Sequence, residues 1–73
     1  MAKVGKALRQ ALERYGISQT KLATTMGLKL AVVNSWVTEN RTPSADRVLD
    51  IRDALQSIDP RAAEEFIRLY LEG

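Results

Sequence analysis

The sequence of 73 residues contains no cysteine and no histidine. Disulfide bonds are therefore excluded, and so are zinc or haem sites built on those two ligands. A serine–histidine or cysteine–histidine nucleophile is excluded as well. The sequence also lacks a glycine-rich phosphate loop, and none of its carboxylate pairs is clustered with a plausible pocket. It therefore predicts no catalytic residue, no metal site and no cofactor, and we expect that the protein is not an enzyme.

Long apolar runs are missing too. The longest, residues 30–33 (LAVV), is far too short to cross a bilayer. The N-terminal stretch MAKVGKALRQALERYG has no apolar segment followed by a small-residue cleavage site, so we expect no signal peptide. It also lacks the Trp or Phe anchors that membrane-surface helices favour. We therefore expect a cytoplasmic protein with no membrane partner.

The net charge is only +2, but the charges are unevenly distributed. Residues 1–41 carry seven Lys or Arg against two acids, a balance of +5, whereas residues 42–73 carry four Arg against seven acids, a balance of −3. Such polarity suits a molecule that turns its first half toward a polyanion. Solvated helix faces give the same unevenness by chance, so the charge distribution alone leaves both interpretations open.

Few glycines and prolines interrupt the chain, and with the polar clusters they divide it into five segments with helical periodicity. Gly16 and Gly27 are placed to end the first two helices, residues 3–15 and 19–26. Ser18 is the expected N-cap of the second helix. Both helices carry apolar residues on the side expected to face the core: Val4, Leu8, Ala11, Leu12, Tyr15, Leu22, Ala23 and Met26.

The third segment, about residues 30–38, begins with four apolar residues, which by themselves fit a strand or a helix. Apolar residues continue at helical spacing at Val33, Trp36 and Val37, and no other segment resembles a pairing strand. A helix is therefore predicted.

Two further helices follow the polar loop that Pro43 closes. Ser44 is the expected N-cap of the fourth helix, and Asp59 with Pro60 begins the fifth, about residues 60–72. The residues expected to face inward are Val48, Leu49, Ile51, Leu55, Ala63, Phe66, Ile67, Tyr70 and Leu71. Five short helices with tight connections predict an all-α bundle that forms one domain over residues 1–73.

The middle of the chain reads SQTKLATTMGLKLAVVNSWVTENRTPS. A helix begins with a glutamine and contains a Leu-Ala pair, and a glycine follows in the turn. The next helix carries a Val and a Trp, and a proline closes the loop after it. These residues are Gln19, Leu22, Ala23, Gly27, Val33, Trp36 and Pro43. This pattern resembles the lambda repressor and Cro-like (XRE-type) helix-turn-helix family over about residues 5–58, with the motif at about 18–38. The resemblance implies a lambda repressor-like fold and a small prokaryotic or phage repressor that binds specific double-stranded DNA and is nucleoid-associated when bound.

The resemblance also implies phosphate contacts. It places one at Gln19, which opens the first motif helix, where the unbonded helix amides favour an anion. Cations that release counterions supply most non-specific affinity for DNA. The further phosphate candidates are Lys21, Lys29, Arg41 and, near the N-terminus, Lys6 and Lys3. For each of these cations an ordinary solvated side chain is the alternative interpretation.

The leading turn of the third helix departs from the family pattern. The resemblance places the first base-reading residues at Leu30 and Ala31, where polar side chains are common, and Lys29 stands where a Ser or Thr N-cap is usual. A helical wheel turns Leu30 toward the core and leaves Val32 on a flank. Together with Leu30 and Val32, the candidates for base reading are the residues that the wheel turns outward: Ala31, Asn34, Ser35 and Thr38.

Three interpretations of this apolar turn stay open. In the first, the helix reads an A·T-leaning site in the major groove, with Asn34 and Ser35 bonding bases and Ala31 or Val32 contacting thymine methyl groups. In the second, Leu30 and Val32 form an apolar patch for another protein, and the chain is an interaction module with weak or lost DNA binding. In the third, these two residues pack on the flanks of the core.

The last helix has two interpretations. Its apolar residues Phe66, Ile67, Tyr70 and Leu71 close the monomer core, or they form a self-complementary face for a homodimer, as the resemblance to two-fold repressors allows. The chain leaves no room for a separate sensing domain, so no small-molecule ligand is predicted.

Overall fold

The computed structural model describes residues 4–72, and within them it contains five α-helices and no strand. The helices are α1 (Val4–Arg14), α2 (Gln19–Met26), α3 (Leu30–Val37), α4 (Ala45–Ile58) and α5 (Pro60–Glu72). The predicted all-α class is confirmed. α1, α2, α3 and α5 begin and end within one residue of their predicted limits, and α4 begins directly after its predicted N-cap, Ser44. Over the same residues no helix has the length and apolar composition needed to cross a membrane.

The turn between α2 and α3 requires glycine at position 27. Gly27 adopts a left-handed backbone conformation with φ of 71°. Its N–H donates to the carbonyl of Thr24 at 3.1 Å, and the N–H of Leu28 donates to the carbonyl of Ala23 at 2.9 Å. This paired arrangement ends α2 as a Schellman motif. A residue with a Cβ at this φ costs about 1–2 kcal/mol. Gly16 ends α1 in the same way, as predicted.

The predicted N-caps are also confirmed. The hydroxyl oxygens of Ser18 and Ser44 each accept a hydrogen bond from the backbone N–H three residues further on, at 2.9 and 3.3 Å. The carboxylate of Asp59 accepts one from the N–H of Arg61 at 3.0 Å. Lys29 precedes α3 and makes no side-chain cap bond. The N–H of Val32 donates to the carbonyl of Lys29 at 3.0 Å, so the first turn of α3 is bonded by backbone and not by a capping side chain.

The core is one apolar cluster to which all five helices contribute. α5 packs against α4 and α1, and α3 packs against α1 and α2. The largest side chains that are fully buried are Leu8, Leu22, Val33, Ile51, Leu55 and Phe66. Since Phe66 belongs to the monomer core, it is not accessible to a second copy. Ile67 and Tyr70 are half-buried and pack on the same core.

Two residues expected to face inward lie on the surface instead. Leu49 is 48% exposed and Leu71 is 75% exposed. Each helical residue is rotated by about 100° from the one before it. Leu49 is therefore turned away from its buried neighbours Val48 and Ile51. Leu71 lies about 140° around α5 from Phe66, beyond the stripe that α1 and α4 cover.

α1 and α3 approach closely at Gly5, which is buried in the first turn of α1. A Cβ added to Gly5 would overlap the carbonyl oxygen of Trp36 and lie 2.8 Å from Cγ of Glu39. A backbone oxygen in a packed helix has no easy way to move aside. The missing side chain of Gly5 therefore sets the distance between α1 and the carboxyl end of α3.

Candidate nucleic-acid interface

α3 presents a clear division between an inner and an outer face. Val33, Trp36 and Val37 are buried and fix the helix to the body of the protein. Ser35 is half-buried. The remaining residues of the outer face, together with the residue that follows the helix, are exposed: Leu30, Ala31, Val32, Asn34 and Thr38. Every candidate for base reading thus has at least part of its side chain accessible from one side of the molecule.

The helical wheel was wrong about Leu30. This side chain is 47% exposed and Val32 is 36% exposed, and neither packs against the core. Side chains of a helix lean toward its N-terminus. Leu30 is the first residue of α3, so its side chain leans past the first turn of the helix and stays 47% exposed. The interpretation in which Leu30 and Val32 pack on the flanks of the core is therefore wrong.

The polar side chains of the outer face bond within the protein. The Ser35 hydroxyl donates to the carbonyl of Val32, and the Thr38 hydroxyl donates to the carbonyl of Asn34 at 2.8 Å. The amide Nδ2 of Asn34 donates to Oε1 of Gln19 at 3.2 Å. In this arrangement Ser35 and Thr38 keep only acceptor lone pairs for a ligand. Asn34 keeps its carbonyl oxygen and one amide hydrogen.

The bond between Gln19 and Asn34 brings together two residues that were assigned separate roles. Gln19 is the first residue of α2 and Asn34 lies in the middle of α3, fifteen positions later. Because Gln19 uses its carbonyl oxygen as the acceptor, its amide Nε2 keeps its two hydrogens as donors. The start of α2 and the middle of α3 are therefore joined by a polar contact.

The cationic phosphate candidates lie on or next to three helices, α1, α2 and α3. Lys21 is in the first turn of α2 near Gln19, and Lys29 immediately precedes α3. Arg41 follows α3 and lines a cleft with the first turn of α1 and with Tyr70. Lys6 is exposed on α1. The structure does not bring these four into one cluster, and Lys3 lies outside the described residues.

One further cation was missed by the sequence argument. Arg9 of α1 lines a cleft together with Ser18, Gln19 and Val37, at the junction of α1, the start of α2 and the end of α3. The helical pattern placed Arg9 on the polar side of α1. No local signal connected it with Gln19, because the two residues are ten positions apart on different helices.

The ion pairs of the described residues all lie in the second half of the chain. They join Arg47 to Asp50, Arg52 to Asp53, Arg61 to Asp59, and Arg68 to both Glu65 and Glu72. Between residues 4 and 41, by contrast, no side-chain cation lies within ion-pair distance of a carboxylate of the described chain. The positive charge of the first half is therefore not neutralised by pairing within residues 4–72.

Two of these pairs perturb the titration of their carboxylates. The Arg61 guanidinium donates hydrogen bonds to Asp59 and holds the pKa of that carboxyl below its ordinary value. Arg68 does the same to Glu65, whose pKa is lowered mainly by the hydrogen bond from its guanidinium. Both pairs stabilise the charged form of the carboxylates on α5 and at its N-terminus.

Comparison with known proteins identifies the family. The sequence model of the family described as helix-turn-helix matches residues 8–61, which is most of the chain. No curated protein and no solved structure matches the sequence. The matched residues include all of α2, the turn at Gly27 and all of α3. The chain therefore belongs to the lambda repressor and Cro-like helix-turn-helix family, whose members are DNA-binding transcription regulators that act on double-stranded DNA and are typically not enzymes.

Proposed function

We propose that this protein is a sequence-specific repressor that binds double-stranded DNA with α3 in the major groove. The observation that carries the proposal is the position of the cations. Lys29 immediately precedes α3, and Lys21 is exposed in the first turn of the adjoining α2. Neither has a carboxylate partner within residues 4–72, whereas the arginines of α4 and α5 are paired. Unpaired cations release counterions when they meet phosphates, and this release supplies much of the affinity for DNA.

The dimensions of α3 support this placement. A single α-helix with its side chains is about 10–12 Å across, and the major groove of B-DNA is about 12 Å wide. One group is Gln19 and Arg9, which line one cleft, together with Lys21 in the same first turn of α2 as Gln19. The other is Arg41, which lies beyond the end of α3. Phosphates on the two sides of the groove are the partners that we assign to these two groups.

Asn34 is the residue that we assign to direct base reading. Its carbonyl oxygen and remaining amide hydrogen match the N6 amino group and N7 of adenine. Gln19 holds the Asn34 amide in place and has its own Nε2 available to a phosphate, so a phosphate contact and a base contact support each other. Ser35 and Thr38 contribute acceptors, and Ala31 contributes a methyl contact. With a single bidentate residue, we expect an A·T-leaning site of modest specificity.

The test is a binding selection from random duplexes at a low and a high salt concentration. We expect the natural chain to recover a preferred site and its affinity to fall steeply with salt. The double variant Asn34→Ala, Ser35→Ala should lose about 1–3 kcal/mol of discrimination at the bases it reads. A matched control, Gln56→Ala and Ser57→Ala on the exposed side of α4, should recover the same site as the natural chain.

Two results would count against the proposal. Equal recovery by the natural chain and by the α3 double variant would remove Asn34 and Ser35 from the reading residues. Recovery of no preferred duplex, with affinity independent of salt, would favour the second candidate function. In that alternative the exposed Leu30 and Val32 serve as a contact for another protein on the same scaffold. Repression itself is tested by placing the recovered site at a reporter promoter, where expression should fall.

We also propose that the protein forms a homodimer through α5, with fewer contact residues than the sequence suggested. Phe66 is fully buried, and Tyr70 stacks on it with ring centroids 6.3 Å apart. The residues left to meet a second copy are Leu71 and the accessible parts of Ile67 and Tyr70. Two-fold repressors place their recognition helices in successive major grooves. A mass measured by light scattering that stays monomeric at high protein concentration would remove this contact.

A further inference from the structure

The exposed side chains of the first turn of α3 are all aliphatic. Leu30 and Val32 are among the four large hydrophobic residues exposed in the described chain, and Ala31 between them is exposed as well. The hydroxyl hydrogen nearest to this turn, that of Ser35, is engaged by the carbonyl of Val32. A ligand that meets this turn therefore finds methyl groups and no hydrogen-bond donor or acceptor from a side chain.

We propose that Leu30 and Val32 determine specificity by reading the C5-methyl group of a pyrimidine in the major groove. The inference rests on the proposed function, because it requires α3 to lie in that groove. Thymine carries its methyl group at C5, on the floor of the major groove, where aliphatic side chains contact it. Aliphatic side chains form no hydrogen bonds with the neighbouring O4 or N4 atoms. They respond to the methyl group and not to the base that bears it.

The surroundings of the turn favour DNA over another protein as the occupant. Lys29 immediately precedes Leu30, and Lys21 is exposed on the adjoining helix α2. A stable protein interface buries about 800 Å² on each partner. Two side chains that are 47% and 36% exposed supply only a small part of that area. An apolar contact with a cation beside it suits a methyl group that lies between phosphate-bearing strands.

Recognition of the methyl group alone predicts that the protein's affinity depends on whether the contacted pyrimidine carries a C5-methyl group, and not on which pyrimidine it is. A reader that uses hydrogen bonds separates thymine from 5-methylcytosine, because one presents the O4 acceptor and the other the N4 donor. Leu30 and Val32 instead group thymine with 5-methylcytosine, since both carry the C5-methyl group. Uracil and unmodified cytosine, which lack it, form the weaker group.

The experiment starts from the preferred duplex that the selection recovers. Each pyrimidine of that duplex is replaced in turn by thymine, uracil, 5-methylcytosine or cytosine with its complementary base, and the affinity of the natural chain is measured. At one or two positions we expect uracil to bind about fourfold more weakly than thymine, the factor that corresponds to one buried methyl group. At those positions 5-methylcytosine should bind like thymine and cytosine like uracil.

Variants then assign the effect to this turn. Leu30→Ala combined with Val32→Ala should lower the affinity for the methylated duplexes and abolish the difference between thymine and uracil. Leu49→Ala is the matched control, because Leu49 is 48% exposed on α4 and Leu30 is 47% exposed on α3. It should leave the difference unchanged. Thermal melts followed by circular dichroism check that all variants remain folded, and the base substitutions need no variant at all.

The results separate this inference from the function on which it rests. Selection of no preferred duplex would overturn the proposed function and this inference with it. A preferred duplex that binds equally well with uracil at every thymine would overturn the inference and leave the proposed function intact. A difference between thymine and uracil that persists in the Leu30→Ala, Val32→Ala variant would likewise overturn it.

Discussion

The two halves of this small protein use their charges in different ways. In α4 and α5 all four arginines have carboxylate partners on the same helix or at its start, and two of these pairs lower the pKa of the acid. In residues 4–41 the cations have no such partner among the described residues. The arginines of the second half are therefore locally paired, within a half that carries an excess of acids, whereas the cations of the first half remain unpaired within residues 4–72.

The largest expected effect comes from removing the unpaired cations. The triple variant Lys21→Gln, Lys29→Gln, Arg41→Gln should lower DNA affinity on the order of 100-fold at moderate salt and flatten the salt dependence by about three phosphate contacts. Affinity measured over a series of salt concentrations tests this expectation.

A matched variant sharpens the contrast between the halves. Arg47→Gln, Arg52→Gln, Arg68→Gln removes the same amount of charge from ion pairs of α4 and α5. It should change DNA affinity far less, because those arginines already have acidic partners. Equal losses in the two triple variants would mean that net charge, and not the unpaired position of the cations, governs binding.

An intermediate effect is expected at the contact between α1 and α3. Gly5→Ala should destabilise the fold by about 1–3 kcal/mol, as overpacking at a tight contact does, because the new methyl group overlaps the carbonyl oxygen of Trp36. Gly27→Ala is the control for backbone strain alone, since a Cβ at Gly27 has nothing within 4 Å. Its cost should be about 1 kcal/mol.

The two glycine variants also differ in what they do to function. Displacing α1 moves its contact with α3, so Gly5→Ala should weaken DNA binding at temperatures where the protein is still folded. Urea unfolding and binding to the selected duplex measure the two quantities separately. A Gly5→Ala protein that is as stable as the natural chain would show that α1 does not set the position of α3.

The smallest effect is expected on acidification. Asp59 and Glu65 have lowered pKa values in the folded state, so their contribution to stability is fully present above the ordinary pKa of a carboxyl group. It is lost as the pH falls from about 4 through the lower folded-state pKa values. Both carboxylates pair with arginines whose side chains are half or more exposed, so solvent screens the pairs and the loss should be modest.

A variant tests whether these two carboxyl groups cause the loss of stability in acid. Asp59→Asn keeps an N-cap residue for α5, and together with Glu65→Gln it removes both perturbed carboxyl groups. Urea unfolding of the natural chain and of this variant at about pH 7 and about pH 3 gives the comparison. The stability of the variant should fall less over that interval. Parallel losses would place the acid sensitivity elsewhere.

The local signals of the sequence predicted the helices well. The serines before α2 and α4 cap those helices by bonding an amide three residues away, and Gly27 ends α2 through bonds within five residues. Such features depend on neighbours in the chain, so the chain pattern is sufficient to find them. The helical wheel was less reliable for Leu30, Leu49 and Leu71. It gives the direction of a side chain and does not say which neighbouring helix covers it.

The sequence predicted which helix forms the site, but it did not predict the contacts between helices that complete it. The outward direction of Asn34 followed from periodicity, but its bond to Gln19 depends on how α2 crosses α3. Arg9 joined the surface for the same reason, because only packing brings α1 next to the start of α2. Contacts between residues that are ten or fifteen positions apart leave no trace in local spacing.

The sequence by itself determined the class of the protein. The absence of cysteine and histidine excluded disulfide bonds and sites built on those two residues. Apolar spacing predicted five helices, and the pattern from Gln19 to Pro43 indicated the family that the comparison then identified. Only the tertiary structure decided which charges are paired, which leucines are covered, and which atoms of the α3 surface remain available for hydrogen bonding. Those properties depend on distances between helices, and packing of the whole chain fixes such distances.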